Sequence, residues 1–136
     1  MIKVIFGKKG SGKTKRIIDM ANDAVACQNG DIVFVDDDNR YMFDLRHEIR
    51  FINACEYGIS SPKMFTGFIA GLIASNYDIS LLFIDGFLRI TNADLGLLAP
   101  FFAALAALAQ KGRLDIILSI SGDPDEAPGF LKEYII

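Results

Sequence analysis

Ile2-Lys3-Val4-Ile5-Phe6-Gly7-Lys8-Lys9-Gly10-Ser11-Gly12-Lys13-Thr14 is the stretch on which the reading of this chain turns. Its first five residues are a short, mostly apolar run of strand character. The next eight fit G-x-x-x-x-G-K-[ST], a spacing used by loops that cradle phosphate groups. Behind them Ile17, Ile18, Ala21 and Val25 recur at helical spacing. Strand, glycine loop and helix start follow one another in the order that this chemistry requires.

Each residue type has a physical task in such a loop. Gly7, Gly10 and Gly12 let the backbone curl, so that successive N–H groups converge on one point. Lys8, Lys9 and Ser11 complete the cradle. A helix beginning near Lys13 adds free N–H groups and the positive end of its dipole. Lys13 is the expected catalytic cation, reaching phosphate oxygens as a point charge, and the Thr14 hydroxyl is an expected ligand for Mg²⁺.

The chain has 136 residues, enough for one domain over 1–136 with a real core. Hydrophobic residues make up 51% and the formal net charge is −3, so a broad basic face for nucleic acid is not expected. The densest basic cluster, Lys8, Lys9, Lys13, Lys15 and Arg16, belongs to the loop itself. Cys27 and Cys55 are far apart and His47 is the only histidine, an inventory from which no zinc site can be assembled. Unlinked cysteines suit a reducing, cytoplasmic setting. A first strand at Ile2 leaves no room for a signal peptide, and the longest apolar run is too short to span a bilayer comfortably.

Further strands are expected at Ile32–Val35, more weakly around Arg50–Ile52, at Leu81–Ile84 and at Ile116–Ser121. Asn29-Gly30 reads as a helix stop. Ser60-Ser61-Pro62 reads as the cap and first turn of a helix carrying Phe65, Phe68, Ile69, Leu72 and Ile73. Gly67 and Gly71, one turn apart, would permit that helix to pack closely on a sheet. A long apolar helix is expected from about Ala93 to Lys111, restarted at Pro100 and stopped by Gly112, with a short helix after Pro128. Continuous apolar strands alternating with helices predict an α/β fold: a three-layer αβα sandwich around a mainly parallel sheet of about five strands. In such sheets ligands bind at the carboxyl ends of the strands. There the sequence places the glycine loop, Asp36-Asp37-Asp38, Asp85-Gly86 and Ser121-Gly122-Asp123.

Asp85 follows four apolar residues, the Walker B pattern, and is expected to serve catalysis through Mg²⁺; the plainer alternative is an aspartate capping a turn with Gly86. With these two motifs the chain resembles the P-loop NTPase superfamily over nearly its whole length, and within it the RecA-like and thymidine-kinase-like branch. It also looks like short uncharacterised bacterial ATP-binding proteins, some of which carry a twitching-motility ATPase label. The resemblance implies ATP as ligand, Mg²⁺ as cofactor, and a last strand lying beside the first and offering a polar sensor. Ser119 and Ser121 share one face of that strand, and Ser121, nearer the edge, is the candidate sensor; the alternative is that both serines simply end the strand. The chain departs from the pattern at Gly86, where many relatives carry a water-positioning Glu. Asp36, Asp37 or Asp38 could replace that base, Asp36 being the one singled out, or the three form a solvated acidic turn. The guanine signature N-K-x-D, a zinc-bound lasso and an Arg-rich lid are absent.

Two functions follow as expectations. One is a Mg²⁺-dependent ATP-binding module with slow or partner-stimulated hydrolysis. The other is a small nucleoside or nucleotide kinase-like phosphotransferase. Arg89, on the loop expected after Asp85, is the nearest arginine in sequence. From Leu97 through Ala109 every residue is apolar. Such a helix either offers a surface to a second copy or a protein partner, or is covered by Phe130, Leu131, Tyr134, Ile135 and Ile136.

Overall fold

Successive strand residues point to opposite faces of a sheet, and here both faces are apolar. Val4, Val33, Val35, Leu82, Ile84, Ile116 and Leu118 enter one core, while Ile5, Ile32, Phe34, Leu81, Phe83 and Ile117 enter another. The computed structural model describes residues 1–136. Five strands, β1 (Ile2–Gly7), β2 (Asp31–Asp36), β3 (Arg50–Asn53), β4 (Ile79–Ile84) and β5 (Asp115–Ser121), form one sheet in the order β1-β5-β4-β2-β3. Every pairing is parallel. The last strand thus lies between the first strand and β4.

Helix α1 (Lys13–Ala24) covers one face through Ile17, Ile18 and Ala21. Ile49, Tyr41 and Leu45 of the connection between β2 and β3 extend that cover. On the other face lie α2 (Pro62–Ser75), the short α3 (Phe87–Thr91) and α4 (Ala99–Gly112). The result is a three-layer α/β sandwich. No helix is long and apolar enough to cross a membrane. Cys27 and Cys55 are both free and exposed.

The apolar stretch 97–109 resolves into an inward and an outward side. Phe101, Phe102, Leu105 and Ala109 are buried, whereas Ala99, Pro100, Ala103 and Ala107 face outward and Leu97 is 77% exposed beside them. Phe102 stacks on Tyr134, 5.5 Å between centroids, and meets Phe130 at 5.6 Å, so the chain end does cover part of this helix. That end runs on to shield the outer edge of β1, where the Ile136 N–H donates to the Val4 carbonyl at 3.0 Å. That pairing blocks part of the edge to a foreign strand.

Several local expectations are corrected. The expected helix from Ala93 is a 3₁₀ turn at Leu95–Leu97 followed by α4, with Pro100 in the first turn of α4 where its missing N–H costs nothing. Gly112 lies inside α4, and the left-handed residue that ends the helix is Arg113, φ 55°. Gly112 is small for another reason: a Cβ there would sit 2.9 Å from Ile73 of α2. Gly67 and Gly71, expected at a close contact, have open space where a Cβ would stand. The segment after Asp85, expected as loop, is α3, so Arg89 sits on a helix.

Candidate functional site

The loop from Gly7 to Thr14 leaves the carboxyl end of β1 and enters α1 directly. Gly10 and Gly12 take φ of 82° and 89°, in the left-handed region that side chains avoid. Gly12 is also the N-cap of α1, so no side chain satisfies the first N–H groups of that helix, and no acidic residue sits in its first turn. The first bond within the helix is the Arg16 N–H donating to the Gly12 carbonyl at 3.1 Å, which leaves the N–H groups before it without a helical partner. The helix start therefore presents free donors and a positive dipole end to whatever occupies the loop. Lys13 folds back and donates to the Lys8 carbonyl at 2.9 Å. Burial lowers its pKa, and the nearby charge of Arg89 lowers it further, against the opposing pull of Asp85.

Strand register builds the other half. Ile84 pairs with Leu118 and Val35 with Ile84. One step further along the strands, Asp36, Asp85 and Ser119 therefore stand side by side on β2, β4 and β5. The alternation that sends Phe34, Phe83 and Ile117 toward α1 sends these three the same way. All three are buried, at 1%, 2% and 4% exposure, and they are three of the four buried polar residues of the chain. Asp85 sits between two hydroxyls: Thr14 donates to its Oδ2 at 3.1 Å, and Ser119 donates to its Oδ1. The structure thus brings Thr14 and Asp85, two of the residues singled out in the sequence, into contact. Hard oxygen donors, a carboxylate and a hydroxyl in contact, are the ligand chemistry of Mg²⁺, so this donor set fits that ion.

Ser121, the expected sensor, pairs with Gly7 and is exposed at the rim. The serine in contact with Asp85 is Ser119. Asp36, the expected base, has its Oδ1 occupied by the Asp37 N–H at 2.7 Å, while its Oδ2 is buried without a partner. Its pKa is pushed up to about 8, first by burial, then by the Asp37 side chain and the Asp85 charge. A carboxyl so enclosed does not reach the open cleft, which is lined instead by Asp37 and Asp38.

That cleft, of about 550 Å³, runs from Lys9, Gly12, Lys13 and Thr14 across Asp85 to Arg89 and out to Arg40 and Tyr41. A second recess of about 540 Å³ lies on the other side of the loop. It shares Gly12 and Lys13 with the first and is closed by Arg16 and by Asp123, Pro124 and Asp125 after β5. Sequence reasoning missed an ion pair that lines the first cleft. Asp37 accepts two hydrogen bonds from Arg89, at 2.8 and 3.1 Å. Burial opposes the Asp37 carboxylate, yet Arg89 holds its pKa below the usual value. The only sequence signal was the position of Arg89 just after Asp85. Neither a scan against protein-family models nor a search of the curated proteins found a match to this chain.

Proposed function

We propose that this protein is a Mg²⁺-dependent ATP-binding protein of the P-loop NTPase type, a nucleotide-gated module whose own hydrolysis is slow. The observation that carries this reading is the contact of Thr14, at the start of the glycine-loop helix, with Asp85 at the end of β4. Two motifs 71 residues apart in sequence meet at one point, on the edge where parallel sheets bind ligands. The phosphates belong against the free N–H groups of the loop and helix start, with Lys13 turning from the Lys8 carbonyl to the β- and γ-oxygens. Thr14 and Asp85 would hold Mg²⁺, which when bound neutralises phosphate charge. The nucleoside would lie in the recess between Arg16 and Asp123–Asp125, which opens on Gly12 and Lys13 from the side away from Asp85. Ser119 fixes the orientation of the Asp85 carboxylate.

Calorimetry with Mg²⁺ and ATP tests the reading. Lys13→Ala should weaken binding by about 1.5–3 kcal/mol, the range for losing a charged hydrogen bond, which is roughly tenfold to a hundredfold in Kd. Gly12→Val should abolish binding, since a β-branched residue cannot hold the φ of 89° that aims the loop. Unchanged affinity in both variants excludes the phosphate-loop assignment.

Asp85 is tested through the metal. Asp85→Asn should leave the melting temperature of the ligand-free protein nearly unchanged, because the amide keeps the size and one oxygen acceptor of the carboxylate while removing a charge from beside Asp36. It should lose the extra stabilisation that Mg²⁺ with ATP confers on the parent protein. Collapse of the ligand-free variant would make Asp85 a structural group only.

A further inference from the structure

Arg89 is placed by four features that the motifs do not account for. It lies on α3, whose first residue, Phe87, is fully buried and stacked on Phe101 at 4.7 Å, with the Phe65 ring edge-on to it at 5.3 Å. A short helix anchored in this way holds its outward residues in fixed positions. Arg89 lines the same cleft as Lys13, Thr14 and Asp85. It is near enough to Lys13 for its charge to act there, and near enough to Asp85 to feel that carboxylate. Finally, its guanidinium forms the two-bond pair with Asp37, the Arg89 side chain remaining 58% exposed.

Gly86 shows that the pair is built in. This residue has φ 69°, and a Cβ on it would lie 2.7 Å from Arg89 Nη2 and 2.8 Å from Asp37 Oδ1. The ion pair rests on bare backbone at the position that follows Asp85. Any larger residue at 86, a glutamate included, would displace it. The absence of a side chain here therefore has a positive content: it makes room for a guanidinium at the mouth of the site.

We propose that Arg89 is the residue by which this chain distinguishes a nucleoside triphosphate from a diphosphate, donating its N–H groups to the terminal phosphate, and that Asp37 is its resting partner in the empty site. The inference rests on the proposed nucleotide reading and adds to it a specific sensor and a competitor for that sensor. A guanidinium prefers a planar array of oxygens, and a terminal phosphate offers more charge than one carboxylate. Arg89 is more than half exposed, so the pair with Asp37 is only partly shielded from solvent and exchanges partners at modest cost. Asp37 thus sets the affinity for triphosphate by holding back the residue that recognises it. Losing Arg89 and losing Asp37 should accordingly have opposite effects.

The experiment measures binding of ADP and of a non-hydrolysable β,γ-imido analogue of ATP, each with Mg²⁺, to the full chain. Arg89→Ala should weaken the analogue about tenfold or more and leave ADP within about twofold, so that discrimination between the two collapses. Arg89→Lys should restore part of it. Asp37→Asn should tighten the analogue several-fold, again with ADP unchanged. A purely structural pair gives a different pattern: both variants lower the melting temperature alike and the analogue-to-ADP ratio does not move. That result overturns the proposal while leaving the nucleotide reading intact. Failure of the parent protein to bind either nucleotide overturns both.

Discussion

Asp36→Asn should flatten the alkaline stability trend of this protein. Asp36 is 1% exposed, its Oδ2 has no partner, and its pKa stands at about 8 in the folded state. In the unfolded chain the group returns to about 3.9. Between these values the folded state holds a proton that the unfolded state has released, so stability falls as pH rises. The contribution is complete below the unfolded value and is lost as pH passes through the folded one. A pKa difference of one corresponds to about 1.4 kcal/mol, so the parent protein should lose about a few kcal/mol from this site across roughly pH 5 to 9. The substituted amide carries no proton to lose. Urea unfolding of the ligand-free protein at about pH 5, 7 and 9 should show a falling curve for the parent and a much flatter one for Asp36→Asn, the variant being the more stable at the alkaline end. Parallel curves for the two proteins would mean that Asp36 is ionised in the fold and is solvated or paired.

What is local was legible in the sequence. A glycine loop between a strand and a helix is written in the adjacent residues Ile2–Thr14, and the structure places them as strand, loop and helix. The apolar strands were readable because both faces of each are buried, and continuous apolar runs have few other uses. The row Asp36–Asp85–Ser119 was not readable, because it depends on the order of strands in the sheet. Ser119 and Ser121 have the same parity, and only the pairing of β5 with β4 shows which one meets Asp85. α3 escaped notice because Phe87-Leu88-Arg89-Ile90-Thr91 is little more than one turn long and its first and last residues are both buried, so it has no periodicity to display. Gly86 drew notice in the sequence only through the resemblance, as a position where many P-loop NTPases carry glutamate. Its role as the floor of an ion pair depends on Asp37, far back in the chain after β2, and so emerges only in three dimensions.

That floor leads to the largest effect expected in rate. Hydrolysis requires a carboxylate or similar group to orient water toward the terminal phosphate. Each carboxylate near this site has another task. Asp85 is shared by Thr14 and Ser119, Asp36 is sealed in the sheet, and Asp37 is tied to Arg89 until a terminal phosphate draws that arginine away. Asp38 accepts the Arg40 N–H at 2.8 Å and turns toward the Arg40 side chain. Turnover of Mg²⁺-ATP by the purified chain should therefore fall well below about 1 s⁻¹, the low end for ordinary enzymes. Gly86→Glu, which introduces the residue that many P-loop ATPases carry, should not rescue it. The substitution forces a side chain onto φ 69° and into the Asp37–Arg89 pair, so it should cost on the order of 1–3 kcal/mol of stability and displace the sensor as well. Phosphate release assays on the parent, Gly86→Glu and Arg89→Ala proteins give the comparison. Arg89→Ala should be slower still, because arginine contacts to a transferring phosphate are worth about 10³–10⁵ where they act in full, and a fraction of that should persist here. Fast turnover by the parent would show that one of these carboxylates leaves its partner in the bound state, and Asp37, released when Arg89 moves to the phosphate, would be the first to substitute.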